Sequence, residues 1–185
     1  AGIPKNFAGF MKPKSVNGYA GIGIANLTHY LFGLDSHYSR EYISTKLKEP
    51  LNKNELYCIS FFVSLADDSA ISIKQIGVYF SKQKIYKLFK KDNLKYDPQV
   101  KYISEFIDNT RQWVMISGLY MAQGGEKYLT IGNFQNDKEL KWKKVKIHAQ
   151  RRSPASSGGY YYIDKVELRP IEDNLSKCNR REFTY

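Results

Sequence analysis

Residues 55–67 read ELYCISFFVSLAD, and the period of their apolar side chains decides the fold. Tyr57, Ile59, Phe61, Val63 and Leu65 stand at every second position, which in an extended chain places them on one face. Cys58, Ser60, Phe62 and Ser64 occupy the other face. The segment is therefore expected as a strand in the middle of a sheet.

The same period extends in both directions. Upstream, REYISTKLKEPL (40–51) alternates Ile43, Thr45 and Leu47 against Ser44, Lys46 and Lys48, and YAGIGIANL (19–27) alternates Ile22 with Ile24. Gly21 and Gly23 in the latter predict close approach by another backbone or a large ring. Downstream, ISIKQIGVYFSK (71–82) alternates Ile76, Val78 and Phe80. RQWVMISGLYMAQGGEKYLTIGNFQND (111–137) reads as two strands joined in hairpin fashion around Gly124-Gly125. SGGYYYIDKVELRP (157–170) supplies the last strand. One short helix is expected between Gln83 and Pro98, where Ile85, Leu88 and Phe89 stand at i, i+3 and i+4 before the turn at Asp97-Pro98. The first 18 residues, punctuated by Pro4, Gly9, Pro13 and Asn17-Gly18, read as irregular.

Many short strands, turn signals between them and at most one or two short helices predict an all-β chain folded as an antiparallel β-sandwich or jelly roll. The 15 Tyr and 10 Phe suit such half-buried surfaces. At 185 residues the chain fits one domain, expected over 1–170, with 171–185 as a linker or extended tail. A domain of this size buries roughly 70% of the surface its unfolded chain exposes and needs no metal or disulfide to fold. Cys58 reads as a small buried hydrophobe and Cys178 as part of a polar tail, with no metal-ligand spacing between them. No apolar run is long enough to span a membrane, and the first ten residues lack the pattern of a signal peptide. A start without Met suggests a processed or trimmed chain.

The excess of 29 Lys and Arg over 18 Asp and Glu gives a formal charge of +11, which favours acidic or phosphate-bearing partners. KELKWKKVKIHAQRR (138–152) concentrates that charge around Trp142 and ends in Arg151 and Arg152. No RNA-binding or helix-turn-helix pattern accompanies it, so a solvated face or anionic-surface patch is preferred to nucleic acid. His29, His37 and His148 form no metal pair, and no nucleophile elbow, P-loop or dinucleotide fingerprint is present. Asp67, Asp68 and Glu126 sit in turns and read as structural, so the chain is expected not to be an enzyme. Trp142, Arg151, Arg152, Tyr160 and Tyr161 are the candidate binding residues.

Asp164 is the unusual carboxylate. Strict alternation from Tyr160 groups Tyr160, Tyr162, Asp164, Val166 and Leu168 on the core side, and turns Tyr161 outward with Ile163 and Lys165. A carboxylate on a core face must accept N–H donors, meet a cation or lie near solvent. A structural Ca²⁺ is one answer; a hydrogen-bonded structural Asp is the plainer one.

GYAGIGIAN, the long segment REYISTKLKEPLNKNELYCISFFVSLADDS, IGVYFSK, WVMISGLYMAQGGEKYLTIGNFQND and YYYIDKVEL, taken in order, are similar to a family of envelope modules. These are the jelly-roll, galactose-binding-domain-like modules that precede OmpA-like peptidoglycan-binding domains in Bacteroidota-type Gram-negative bacteria. The resemblance runs from about Ile3 to Leu168, and GGEKYLTIGNF and YYYID are its specific phrases. It implies a non-catalytic binding and assembly module at the periplasm or outer-membrane surface, with envelope protein partners. Some relatives are lipoproteins, and some serve type IX secretion or gliding. It also implies an alternative, a carbohydrate- or peptidoglycan-binding module. The chain departs from the family in lacking the leading PNPSFE-like strand, which would leave an edge open to a partner, and in lacking the peptidoglycan-binding domain. Carbohydrate-binding jelly rolls often carry IDDV, with a Ca²⁺-supporting carboxylate, where this chain has IDKV, so Asp164 matches and Lys165 does not.

Overall fold

The computed structural model describes residues 3–15, 18–26, 40–86, 89–90, 93–103, 105–136, 138–146, 158–171 and 178. Fourteen strands run through them: β1 (Lys5–Asn6), β2 (Gly9–Phe10), β3 (Ala20–Asn26), β4 (Arg40–Glu41), β5 (Ile43–Lys46), β6 (Leu56–Leu65) and β7 (Ile71–Ile73), then β8 (Ile76–Ser81), β9 (Phe89–Lys90), β10 (Val100–Tyr102), β11 (Val114–Met121), β12 (Tyr128–Gly132), β13 (Trp142–Lys144) and β14 (Gly158–Pro170). Two four-stranded antiparallel sheets, ordered β11-β6-β14-β3 and β10-β8-β12-β5, pack face to face. This is the jelly-roll sandwich that the alternation predicts.

The opening stretch behaves as read. β6 lies between β11 and β14, and Ile59, Phe61, Val63 and Leu65 are fully buried between the sheets. Ile76, Val78 and Phe80 of β8 and Leu129 and Ile131 of β12 meet them from the opposite layer. The layers approach closely at Gly118, where a Cβ would lie 2.4 Å from Val100 Cγ1 of the facing sheet.

Three expectations are corrected. The segment Gln83 to Pro98 contains no helix among its described residues: Phe89–Lys90 is a strand paired with β4. Ile85 and Leu94 are instead drawn into a small cluster with Tyr42 and Phe134, and the Leu94 amide donates to the Tyr42 hydroxyl at 2.9 Å. Long-range packing overrides the local period there. Leu88 lies outside the described residues. The two strands around Gly124-Gly125 do not form a hairpin either, since β11 pairs with β6 while β12 pairs with β8 and β5 in the other sheet. The glycine pair, at φ of 92° and 84°, turns the chain from one layer to the other. Finally, Cys58 is no isolated hydrophobe. It is disulfide-bonded to Cys178, 120 residues away, with Cα atoms 5.6 Å apart.

The last strand shows the largest departure. β14 carries a bulge between Asp164 and Glu167, with Lys165 at φ 50°, so strict alternation fails along it. Tyr161 and Ile163 face the core before the bulge, and Leu168 packs against the same core after it. Tyr161, expected to be partly exposed, is wholly buried. Tyr162 and Asp164 lie on the outer face of the sheet, beneath the N-terminal segment, where Ala8 and Met11 pack on Tyr162. There Asp164 accepts from the Lys14 and Ser15 amides at 2.7 and 2.9 Å, from the Ser15 hydroxyl at 2.5 Å, and from the Lys165 amide at 2.6 Å. Each carboxylate oxygen takes two donors, which use the lone pairs that a Ca²⁺ ion would need. The residue does not fit a metal ligand; it pins the chain at 14–15 to the sheet.

Asp164→Asn should lower the unfolding free energy by about 1–2 kcal/mol, because it puts an amide NH2 against two or more of these donors. A shifted urea midpoint with an unchanged slope is the expected reading. An unshifted midpoint would mean that the other ties of the N-terminal segment, Met11 and Ala8 on Tyr162 and the Phe10 amide on Asp67 among them, hold it without Asp164.

Candidate functional site

The sequence-derived binding residues do not converge. Tyr161 is a core residue: its hydroxyl accepts from the Ile73 amide at 2.9 Å and donates to the Ile107 carbonyl at 2.8 Å. Tyr160 is half buried, with its ring against Phe7 (centroids 5.2 Å apart) and over Gly21, the close approach that the glycine predicts. Trp142 on β13 is half buried and packs against the main core, while β13 pairs with β7. Its neighbour Lys143 pairs with Asp108 at 2.7 Å and lies over the Phe106 ring. Arg151 and Arg152 lie outside the described residues.

Two further clefts are lined by described residues. One, of about 450 Å³, is lined by Phe10, Lys12, Asp67, Arg111 and Trp113. Two of its polar groups are already engaged: Asp67 accepts from the Phe10 amide at 2.8 Å and the Trp113 indole donates to the Lys12 carbonyl at 2.9 Å.

The other cleft, of about 360 Å³, lies where β8 ends and the β11–β12 connection crosses between the sheets. Tyr79 and Tyr96 stand at its margin with rings stacked 4.7 Å apart at 19°. Tyr96 is 43% exposed. Phe80 and Tyr120, one from each sheet, stack at 4.4 Å and 5°. Glu126 is 3% exposed yet lines the cleft. The turn at Gly124-Gly125 folds its side chain back, so that Oε1 accepts from the Tyr120 hydroxyl at 2.6 Å and from the Gln123 amide at 2.8 Å. Oε2 is buried and has no hydrogen-bond partner among the described residues.

The electrostatics follow from these contacts. Burial alone would raise the Glu126 carboxyl, but the Tyr120 hydroxyl and the nearby backbone amides outweigh it and hold the group below the ordinary glutamate value. It is therefore a carboxylate at neutral pH. Burial, together with this same carboxylate, pushes the Tyr120 phenol well up, so it remains a donor. Gln99 is committed to the fold, since its amide pairs with the Phe80 backbone N–H and C=O at 2.8 and 3.1 Å. Lys82 and Lys84 flank the cleft and are exposed.

Sequence reasoning considered Glu126 and set it aside as a turn residue, and it passed over Tyr79 and Tyr96. The one local signal was GGE directly after an apolar strand, which marks a carboxylate placed by a tight turn. Nothing local linked it to residues 79–85 or 96.

No family model matches the chain, and no curated protein matches it. Among solved structures it is similar to a xylan-binding CBM22 domain from Paenibacillus barcinonensis, at TM-score 0.36 and 17% identity, covering 75% of this chain and 68% of that one. It is also similar to a cleaved adhesin domain of Lys-gingipain from Porphyromonas gingivalis, at TM-score 0.40 and 12% identity, covering 86% and 79%. A CBM4 structure matches at TM-score 0.37 and 16% identity, covering 85% and 74%. These similarities are distant, and what the cleft binds has to be argued from its own residues.

Proposed function

We propose that this protein is a carbohydrate-binding module whose ligand lies in the cleft between Tyr79, Tyr96 and Glu126. The observation that carries the reading is a buried, ionised carboxylate with one oxygen still lacking a donor, set beside an exposed stacked tyrosine. A sugar ring presents both complements: C–H faces that lie on an aromatic ring, and hydroxyls that donate to a carboxylate. The cleft volume of about 360 Å³ is in the ordinary range for a small ligand. Binding needs no reacting group.

The envelope-assembly reading depends on an open sheet edge for a partner strand. At β3, which ends its sheet, the Gly23 amide donates to Glu41 Oε2 at 2.7 Å, so one of the groups such a partner would pair with is already engaged. That edge is therefore less open to a partner strand, and the cleft is the better-supported site. The Cys58–Cys178 disulfide supports an oxidising, extracytoplasmic compartment, and no helix among the described residues is long and apolar enough to cross a membrane.

Titration calorimetry of the intact protein against a panel of oligosaccharides tests the proposal. Tyr96→Ala should weaken binding by about tenfold, the loss of one aromatic contact of roughly 1.4 kcal/mol. Unchanged affinity in that variant, or no binding to any glycan, would overturn it.

A further inference from the structure

Resting on the glycan reading, the geometry points to an acidic glycan, one carrying a carboxylate on the sugar that stacks at Tyr96, as the class of ligand this cleft takes. The cleft is asymmetric in charge. Glu126 lines it with Oε1 clamped by Tyr120 and Gln123, and its Oε2, buried without a hydrogen-bond partner among the described residues, meets a ligand hydroxyl only when the groups covering it shift. At its margin stand Lys82 and Lys84, consecutive but one along the chain that leaves β8.

No other carboxylate lines the cleft among the described residues, and neither lysine has an ion-pair partner among them. Lys82 runs beside Gly125, where a Cβ would lie 3.9 Å from its Nζ, so its ammonium is carried next to the glycine turn that places Glu126. Lys84 lines the cleft as well, with its Nζ 5.6 Å from the centroid of the exposed Tyr86 ring. A neutral sugar would meet the tyrosines while giving neither ammonium a charged partner. A hexuronate satisfies all three features: hydroxyls to Glu126, ring face to Tyr96, and carboxylate to the lysine rim. The overall charge of +11 draws such a polyanion toward the protein at long range.

The test titrates the intact protein with an oligogalacturonate and with a neutral xylo-oligosaccharide of equal length, at about 20 mM and about 300 mM salt, where the Debye length falls to a few ångströms. The acidic ligand is expected to bind about tenfold tighter at low salt, with the preference shrinking at high salt. In Lys82→Ala/Lys84→Ala the acidic ligand should bind no better than the neutral one. Equal affinity for both ligands in the unaltered protein, or a preference that survives the double substitution, overturns the inference and leaves the glycan reading standing. Binding of neither ligand, nor of any other glycan, overturns both.

Discussion

Reducing the Cys58–Cys178 disulfide should lower the free energy of unfolding by about 3–5 kcal/mol, which is among the largest losses any single change in this molecule would cause. The bond closes a loop of 120 residues, which holds most of both sheets. In the chain-entropy description, closing a loop of this size restricts the unfolded ensemble by close to 5 kcal/mol, and structure retained in the unfolded chain reduces the measured loss. Both sulfurs are buried, so nothing replaces the bond once it is cut. Urea unfolding with and without a phosphine reductant checks this, with Cys58→Ser/Cys178→Ser as the control. A midpoint that does not move in either case would mean that Cys178 contributes nothing to the folded state.

Tyr161→Phe should cost about 2–4 kcal/mol, although it removes a single oxygen. The hydroxyl ties together two segments that no strand pairing joins. It accepts the Ile73 amide and donates to the Ile107 carbonyl, while the Ile107 amide bonds to the Ile73 carbonyl at 3.0 Å. With phenylalanine, a buried N–H and a buried C=O lose their partners in a region without solvent. An unpaired buried amide is penalised by its full desolvation cost, which is why the loss exceeds that of an ordinary exposed tyrosine. Thermal unfolding of the variant at neutral pH is the measurement. A loss below about 0.5 kcal/mol would show that water reaches these groups.

The same tyrosine shows how far the sequence could be read. A period of two sorts side chains into two sets but does not say which set faces the core. In β6 the answer was plain, because one set is wholly apolar and the other contains serines. In YYYIDKVEL both sets contain tyrosine and a charged residue, and the bulge at Lys165 interrupts the count. The outward assignment of Tyr161 failed for both reasons. The strands flanking Gly124-Gly125 were legible as strands but not as members of opposite sheets, because a glycine turn serves a hairpin or a crossing equally well. The supposed helix carried a helical spacing of three apolar residues, and it was overruled by Tyr42 and Phe134, far away in the sequence. The disulfide and the Glu126 cleft share this property: each joins residues that only the folded chain makes neighbours. Asp164 was legible in part. Its cost as a carboxylate on a sheet face was foreseen, along with the donors as one solution, but the amides of residues 14 and 15 could not be named.

The attachment of Cys178 also has a mechanical meaning. A pull on the chain beyond that residue is passed by the disulfide to Cys58, within β6. That strand is hydrogen-bonded to β11 on one side and to β14 on the other. Force therefore loads two ladders in the middle of a sheet and does not peel one strand from its end. A domain pulled from that side would be gripped at a central strand, next to the Leu119–Cys58 pair and one residue from the Tyr120 that clamps Glu126.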